Sequence, residues 1–305
     1  MSMPQSVTEG TLVVATYSRR MALRLASGEK IMARVKGKRL QPVCGDQVEA
    51  EPIVSEPDWL ITRILPRKNA LTRPNSRGKV EVLAANLGFL AVVTADPPSP
   101  DWFIVDRYLC AAELMGVPAA VVFNKTDLAA PGEDIANTLA DYERIGYRTV
   151  LCSAKSGSKL DALRDLLADR IAIIVGQSGV GKSSLINRLI ENAGLPTATV
   201  SKSSGEGRHT TVNSVMLDLP SGGAVIDSPG VRDYAPSTDN AQDVMCGFPE
   251  IDRYGADCKF SDCKHLREPD CGVKAAIEAG EISVRRYESY KRLLAMTKKL
   301  TEGRY

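Results

Sequence analysis

Long hydrophobic runs are missing from this chain. Nowhere in its 305 residues does an apolar stretch approach the roughly 20 that a bilayer-spanning helix needs. The opening MSMPQSVTEG lacks a basic start followed by an apolar core, so export is not expected and a cytoplasmic location is. Histidine is nearly absent, with two residues, so imidazole chemistry rests on His209 and His265 alone. Aromatics are scarce at the N-terminal end, where Tyr17 and Trp59 stand alone before Phe89. Base stacking there is weakly supported, and contacts to phosphate or RNA shape are favoured. Net charge is only +2, but it is unevenly divided. Residues 1–80 hold 14 Lys and Arg against seven Asp and Glu, an excess of +7 that leaves −5 for the remainder. A basic end on an otherwise acidic chain fits a nucleic-acid contact or a solvated basic face.

What is present reads as a globular chain of two or three domains, with 44% hydrophobic and 25% charged residues. Five short runs of alternating apolar residues (11–17, 21–27, 30–37, 45–54 and 59–67) predict a small β-barrel such as an OB-fold. Residues 70–79, ALTRPNSRGK, read as a polar connector. Strands and helices then alternate to about residue 193, the pattern of a parallel sheet covered by helices on both faces. Beyond 234 the composition turns to Cys, Pro and polar residues, and 275–300 read as a closing helical stretch. The expected fold class is α/β, with domains at 1–68, 69–233 and 234–305.

Within the α/β region, Gly176-Gln177-Ser178-Gly179-Val180-Gly181-Lys182-Ser183 follows an apolar strand and opens a helix. That is the context a phosphate loop requires: its backbone N–H groups cradle phosphates at a helix N-terminus. Lys182 is expected on the β- and γ-phosphates and Ser183 on Mg²⁺, with Ser184 beside it in the nucleotide site. Asn124-Lys125-Thr126-Asp127 ends another apolar strand. The Asp127 carboxylate suits the two N–H donors of guanine and has nothing to accept from adenine, which argues against an ATP-using enzyme. Ser153-Ala154-Lys155 supplies a second loop for the base. Asp227-Ser228-Pro229-Gly230 matches D-x-x-G, placing Asp227 near Mg²⁺ and the Gly230 amide near the γ-phosphate. Thr210 and Thr211 are both candidates to close over Mg²⁺ from the polar stretch 201–215. Val231 stands where many GTPases have a water-orienting Gln, and His209 is the nearest substitute. Cys258-x4-Cys263-x-His265-x5-Cys271 offers four soft ligands and no spare position, predicting one closed structural zinc site.

The base reader thus precedes the phosphate loop. That permuted order resembles the ribosome small-subunit-dependent GTPases, circularly permuted enzymes of late 30S maturation. Gly45-Asp46-x-Val48, Ala85-Asn86, Asp106-Arg107-Tyr108-Leu109 and Gly207-Arg208-His209-Thr210-Thr211 extend the likeness over nearly the whole chain. The resemblance implies GTP hydrolysis stimulated by the small subunit, with GTP/GDP, that subunit and its rRNA as partners. It also implies a barrel and zinc domain that help docking, and His209 as the catalytic group. Glu206, Val212 and Gly88 depart from the pattern. A monomer is expected. Another reading from the same residues is a GTP-gated RNA-binding checkpoint in which hydrolysis only resets binding. Arg285, Arg286, Lys291, Arg292, Lys298 and Lys299 are candidates for rRNA contact or for a solvated helix face.

Overall fold

The computed structural model describes residues 8–18, 20–37, 39–74, 79–190, 212–227 and 241–302. His209, Thr210, Thr211 and Gly230 lie outside the described residues.

The N-terminal strands are β1 (Thr8–Tyr17), β2 (Met21–Arg24), β3 (Lys30–Val35), β4 (Gln47–Pro52) and β5 (Trp59–Ile64). They pair in the order β1-β2-β3-β5-β4, and β4 returns to β1, closing a five-stranded barrel. Closure follows from alternation: Val13, Leu23, Ala33, Val48, Ala50 and Ile61 all point inward to one small core. β1 does double duty. Its register shifts between Val13 and Ala15, and again between Thr16 and Tyr17, and past the first shift it also pairs with β12 (Val212–Asp218). The barrel and the main sheet therefore form one continuous set of eleven strands.

A hairpin of β6 (Ala70–Pro74) and β7 (Val80–Ala85) follows the barrel. The expected connector is thus a strand pair. The Pro-Asn-Ser-Arg-Gly run that suggested a loop falls largely between the two strands. Here the positions Gly45-Asp46 and Ala85-Asn86 meet. Ala85 N donates to Cys44 O (3.1 Å) and Asn86 Nδ2 to Gly45 O (2.8 Å). Gly45 has φ +93°, and a Cβ there would collide with the Ala85 carbonyl, so a side chain would prise barrel from hairpin. Asp46, fully buried, accepts both Arg67 Nε (2.7 Å) and Nη2 (2.8 Å).

Next come β8 (Phe89–Ala95), α1 (Trp102–Met115), β9 (Ala119–Asn124), α2 (Glu133–Ile145), β10 (Arg148–Leu151), α3 (Leu160–Leu167), β11 (Ile171–Gly176) and α4 (Lys182–Ile190). After β12 comes β13 (Ala224–Asp227). The sheet order is β10-β9-β8-β11-β13-β12, parallel except for β12. All seven residues of β8 are buried, as double-sided cover demands. Strand β12 overturns part of the expectation that 201–215 is a loop: residues 212–218 pair on both sides. The chain steps outward from β8 to β10, then returns to the centre at β11. The crevice at the C-terminal ends of β8, β9 and β11 is where α/β sheets bind ligands.

The C-terminal region consists of α5 (Ala241–Cys246), α6 (Pro249–Gly255), α7 (Gly272–Glu278) and α8 (Val284–Glu302). The stretch 275–300 is therefore two helices, parted by the turn at Gly280, whose φ is +77°. Val244, Phe248, Ile251, Val273, Tyr290 and Leu293 share a core with Phe103 and Cys110 of α1. Among the described residues no helix is long and apolar enough to cross a membrane.

Arg285 and Arg286 do not face solvent RNA as a pair. Arg286, wholly buried, donates to Glu250 (2.6 and 3.0 Å) and to Asp106 (2.8 Å), while Arg285 takes the other Asp106 oxygen (2.8 Å). Tyr142 of α2 donates its hydroxyl to Asp106 at 2.6 Å. Burial, and then the Asp106 charge, pushes the Tyr142 phenol well above its ordinary range, so it remains a donor. Against the penalty of full burial, Glu250 and Asp106 hold the Arg286 guanidinium charged. The network ties α8 and α6 to α1 and α2. Arg286→Met leaves Glu250 buried without its Arg286 partner and Asp106 held by Arg285 and Tyr142 alone, and should destabilise by about 3–5 kcal/mol. Equilibrium urea unfolding checks this, with Lys298→Met as the exposed control expected within about 0.5 kcal/mol of wild type.

Candidate nucleotide site and metal centre

Three polar loops leave the same edge of the sheet. Asn124 ends β9 and is 1% exposed. Its Nδ2 donates to Val180 O (2.9 Å), and its Oδ1 accepts from Ala154 N (3.0 Å). One side chain thereby stitches segment 176–183 to segment 153–155, although 56 residues separate it from the first. Gly181, with φ +94°, makes room: a Cβ there would stand 2.5 Å from Asn124 Nδ2. Lys125, at φ +67°, sends its Nζ to Gly179 O and Pro97 O, both at 2.7 Å.

Asp127 accepts from Ser153 Oγ at 2.5 Å, and Lys155 Nζ lies 4.0 Å away. Ser153 is fully buried, and its Oγ also accepts from Ser156 N (3.0 Å). That hydroxyl is locked, so the Asp127 carboxylate is held in one orientation. Lys182 Nζ lies within the turn, donating to Gly176 O (2.8 Å) and Gln177 O (2.7 Å). Ser183 and Ser184 are exposed at the first turn of α4, Ser178 and Gly179 are exposed in the loop, and Val180 is fully buried. Asp227 ends β13. Burial raises its pKa and the Lys182 charge opposes the rise, the balance of a carboxylate set where a cation is in demand.

Sequence reasoning missed the floor of this site. Asp101 caps α1, accepting from Phe103 N (3.1 Å) and Ile104 N (3.2 Å), and its own N–H donates to Gln177 Oε1 (3.2 Å). An acid just before the apolar run Trp-Phe-Ile-Val was the available signal.

The second cluster is compact. Ligand atoms of Cys258, Cys263, His265 and Cys271 all lie within 4.8 Å of one another. Cys258 and Cys271 Sγ are 3.8 Å apart, and each lies 3.4–3.5 Å from His265 Nδ1. A tetrahedron with Zn–S of about 2.3 Å has sulfur–sulfur edges of about 3.8 Å, so the donor set fits zinc. All seven cysteines are free, and this spacing is no disulfide. The sequence left open which imidazole nitrogen faces the sulfurs; it is Nδ1, while Nε2 lies 3.0 Å from Met245 Sδ. Burial lowers the His265 pKa, favouring the neutral form that ligates. Tyr287 and Tyr290 hydroxyls anchor the loop through the carbonyls of His265 (2.5 Å) and Lys264 (3.1 Å). This cluster could hold one zinc ion.

A barrel joined to a permuted phosphate-loop sheet, followed by helices carrying a Cys₃His cluster, defines a circularly permuted GTPase. A family model described as RsgA GTPase matches residues 64–236. The chain is 39% identical to the small ribosomal subunit biogenesis GTPase RsgA of Haemophilus influenzae, across 90% of this chain and 76% of that protein. The crystal structure of YjeQ from Thermotoga maritima superposes with a TM-score of 0.72 at 31% identity, covering 95% of this chain and 98% of that one. YloQ, described as a circularly permuted GTPase, superposes with a TM-score of 0.71 at 27% identity, covering 98% of both chains. The chain belongs to the RsgA GTPase family.

Proposed function

We propose that this chain hydrolyses GTP during late maturation of the small ribosomal subunit, binding that subunit and its rRNA and cycling with nucleotide state. The division at 1–68, 69–233 and 234–305 belongs to this reading, as do cytoplasmic location and a monomeric state. Asp127, Asn124 and Lys125 select guanine, with Ser153, Ala154 and Lys155 around the base. Gly176 to Ser184 hold the phosphates, Lys182 meets the β- and γ-phosphates, and Ser183 ligates Mg²⁺. Asp227 orients the Mg²⁺ hydration shell. Gly230, Thr210, Thr211 and the catalytic His209 complete the site by the resemblance, from outside the described residues. One structural zinc sits on Cys258, Cys263, His265 and Cys271.

The observation that carries this reading is Asn124, whose single amide bonds both the phosphate-loop segment and the second base loop. In the barrel, Arg20, Arg34, Arg63 and Arg67 pair with barrel acids, and Arg24 pairs with Asp218. Lys36, Arg39 and Lys68 have no carboxylate partner among the described residues, which supports a phosphate contact. The family relatives' names support the subunit as partner.

The test is GTP hydrolysis with and without purified 30S subunits. Wild type should be stimulated, and His209→Ala should lose about 10²-fold or more of the stimulated rate while still binding GTP. An unstimulated wild type contradicts the reading. If His209→Ala supports normal subunit maturation while Lys182→Ala does not, hydrolysis merely resets a GTP-gated checkpoint.

A further inference from the structure

Strand β13 ends on Asp227, and there its hold on the sheet is one-sided. The parallel ladder to β11 runs from Ala224 to Ile226 and stops. Asp227 is paired toward β12, opposite Val215. The neighbouring residue of β12, Ser214, adds a side-chain bond: its Oγ donates to Asp227 O at 3.2 Å. A peptide at a strand end with a ladder on one side opens more readily than one inside the sheet, and its carboxylate moves with it.

Ser214 is a polar residue in an apolar setting. It is 5% exposed, and Met216, the next residue on the same face of β12, belongs to the main core. Across the ladder Ser214 faces Thr16 of β1, next to the second register shift of that strand. Its hydroxyl also bonds the thiol of Cys44, which is fully buried at the corner where barrel meets hairpin. The Cys44 carbonyl accepts from Ala85 N at 3.1 Å, so that corner is itself pinned. Burial pushes the Cys44 thiol up to about 12, and at neutral pH it keeps its proton as a donor. One hydroxyl thus accepts from the barrel corner and donates to the peptide that carries Asp227. Packing alone needs no hydroxyl at this position; alanine fills nearly the same space.

We propose that Ser214 is a positioning residue for Asp227: its hydroxyl, anchored on Cys44, fixes the last peptide of β13 and with it the aim of the carboxylate toward nucleotide-bound Mg²⁺. The inference rests on the proposed function for the role of Asp227. It also gives the barrel a short route to the nucleotide, because a single side chain separates Cys44 from the Asp227 peptide.

The experiment titrates Mg²⁺ into the zinc-loaded chain with a fluorescent non-hydrolysable GTP analogue, for wild type, Ser214→Ala, Ser214→Thr, Cys44→Ala and the Ser214→Ala/Cys44→Ala double variant. Ser214→Ala should raise the Mg²⁺ midpoint by about threefold to tenfold, the effect of one buried hydrogen bond, and leave affinity without added Mg²⁺ within about twofold of wild type. Ser214→Thr keeps the hydroxyl and should restore the midpoint. Cys44→Ala should shift it in the same direction but less, and the double variant should match Ser214→Ala, because both changes act through one bond. Thermal melting separates this from a purely structural role. A Ser214→Ala chain that melts earlier but keeps the wild-type Mg²⁺ midpoint overturns the proposal, whether or not the threonine variant folds. Shifts that add in the double variant overturn the anchoring by Cys44. A wild type whose nucleotide binding ignores Mg²⁺ sinks the proposed function itself, a result separable from these.

Discussion

Asp127→Asn should abolish tight GDP binding and confer affinity for xanthosine diphosphate. The carboxylate only accepts hydrogen bonds, and Ser153 Oγ fixes it at 2.5 Å. Guanine presents two N–H donors to it. Replacing one oxygen by NH₂ sets donor against donor, losing a charge-assisted bond and leaving a buried donor unsatisfied, together about 3–5 kcal/mol. GDP affinity should therefore fall by about 10³-fold. Xanthine carries a carbonyl where guanine has its amine, so the new amide has an acceptor to meet. Competition against a fluorescent guanine nucleotide measures both. A variant that keeps GDP affinity within threefold would show that Asp127 does not read the base.

Removal of the metal should unfold the C-terminal helices while sparing the sheet. The helical region's core is modest and is completed by α1, and its loop 256–271 has little regular structure to hold it. Structural zinc contributes on the order of 10 kcal/mol in small domains, more than such a core supplies. Metal analysis should give one zinc per chain. Chelation, or Cys263→Ser, should strip hydrogen-exchange protection from α7 and the start of α8. The sheet has its own two cores, so GDP binding should survive. Acid should mimic chelation, because the thiols and His265 must shed protons to ligate and recover them as pH falls. Retained protection in α7 without metal would contradict a structural role.

The motifs were legible because each is a local device. A phosphate loop needs its glycines and lysine in one run after a strand, and Cys258 to Cys271 bring four donors together within fourteen residues. The barrel was legible through period-two alternation. Long-range relations were not. Arg286 and Asp106 are 180 residues apart, and nothing near Arg286 betrays two buried carboxylates, so a basic helix read as a surface. The sharing of β1 between barrel and sheet depends on two register shifts and a partner strand 200 residues on. The β6–β7 hairpin hid behind turn-rich composition. Residues of α1 showed as helix, but its capping Asp101, and with it the contact to Gln177, required the fold.

Calorimetric titration of the zinc-loaded chain with GDP and with ADP, in Mg²⁺, tests the central claim most directly. A pocket assembled from 124–127, 153–155 and 176–184 should take one GDP and release no measurable heat with ADP. Equal affinity for the two, or binding of neither, would contradict it.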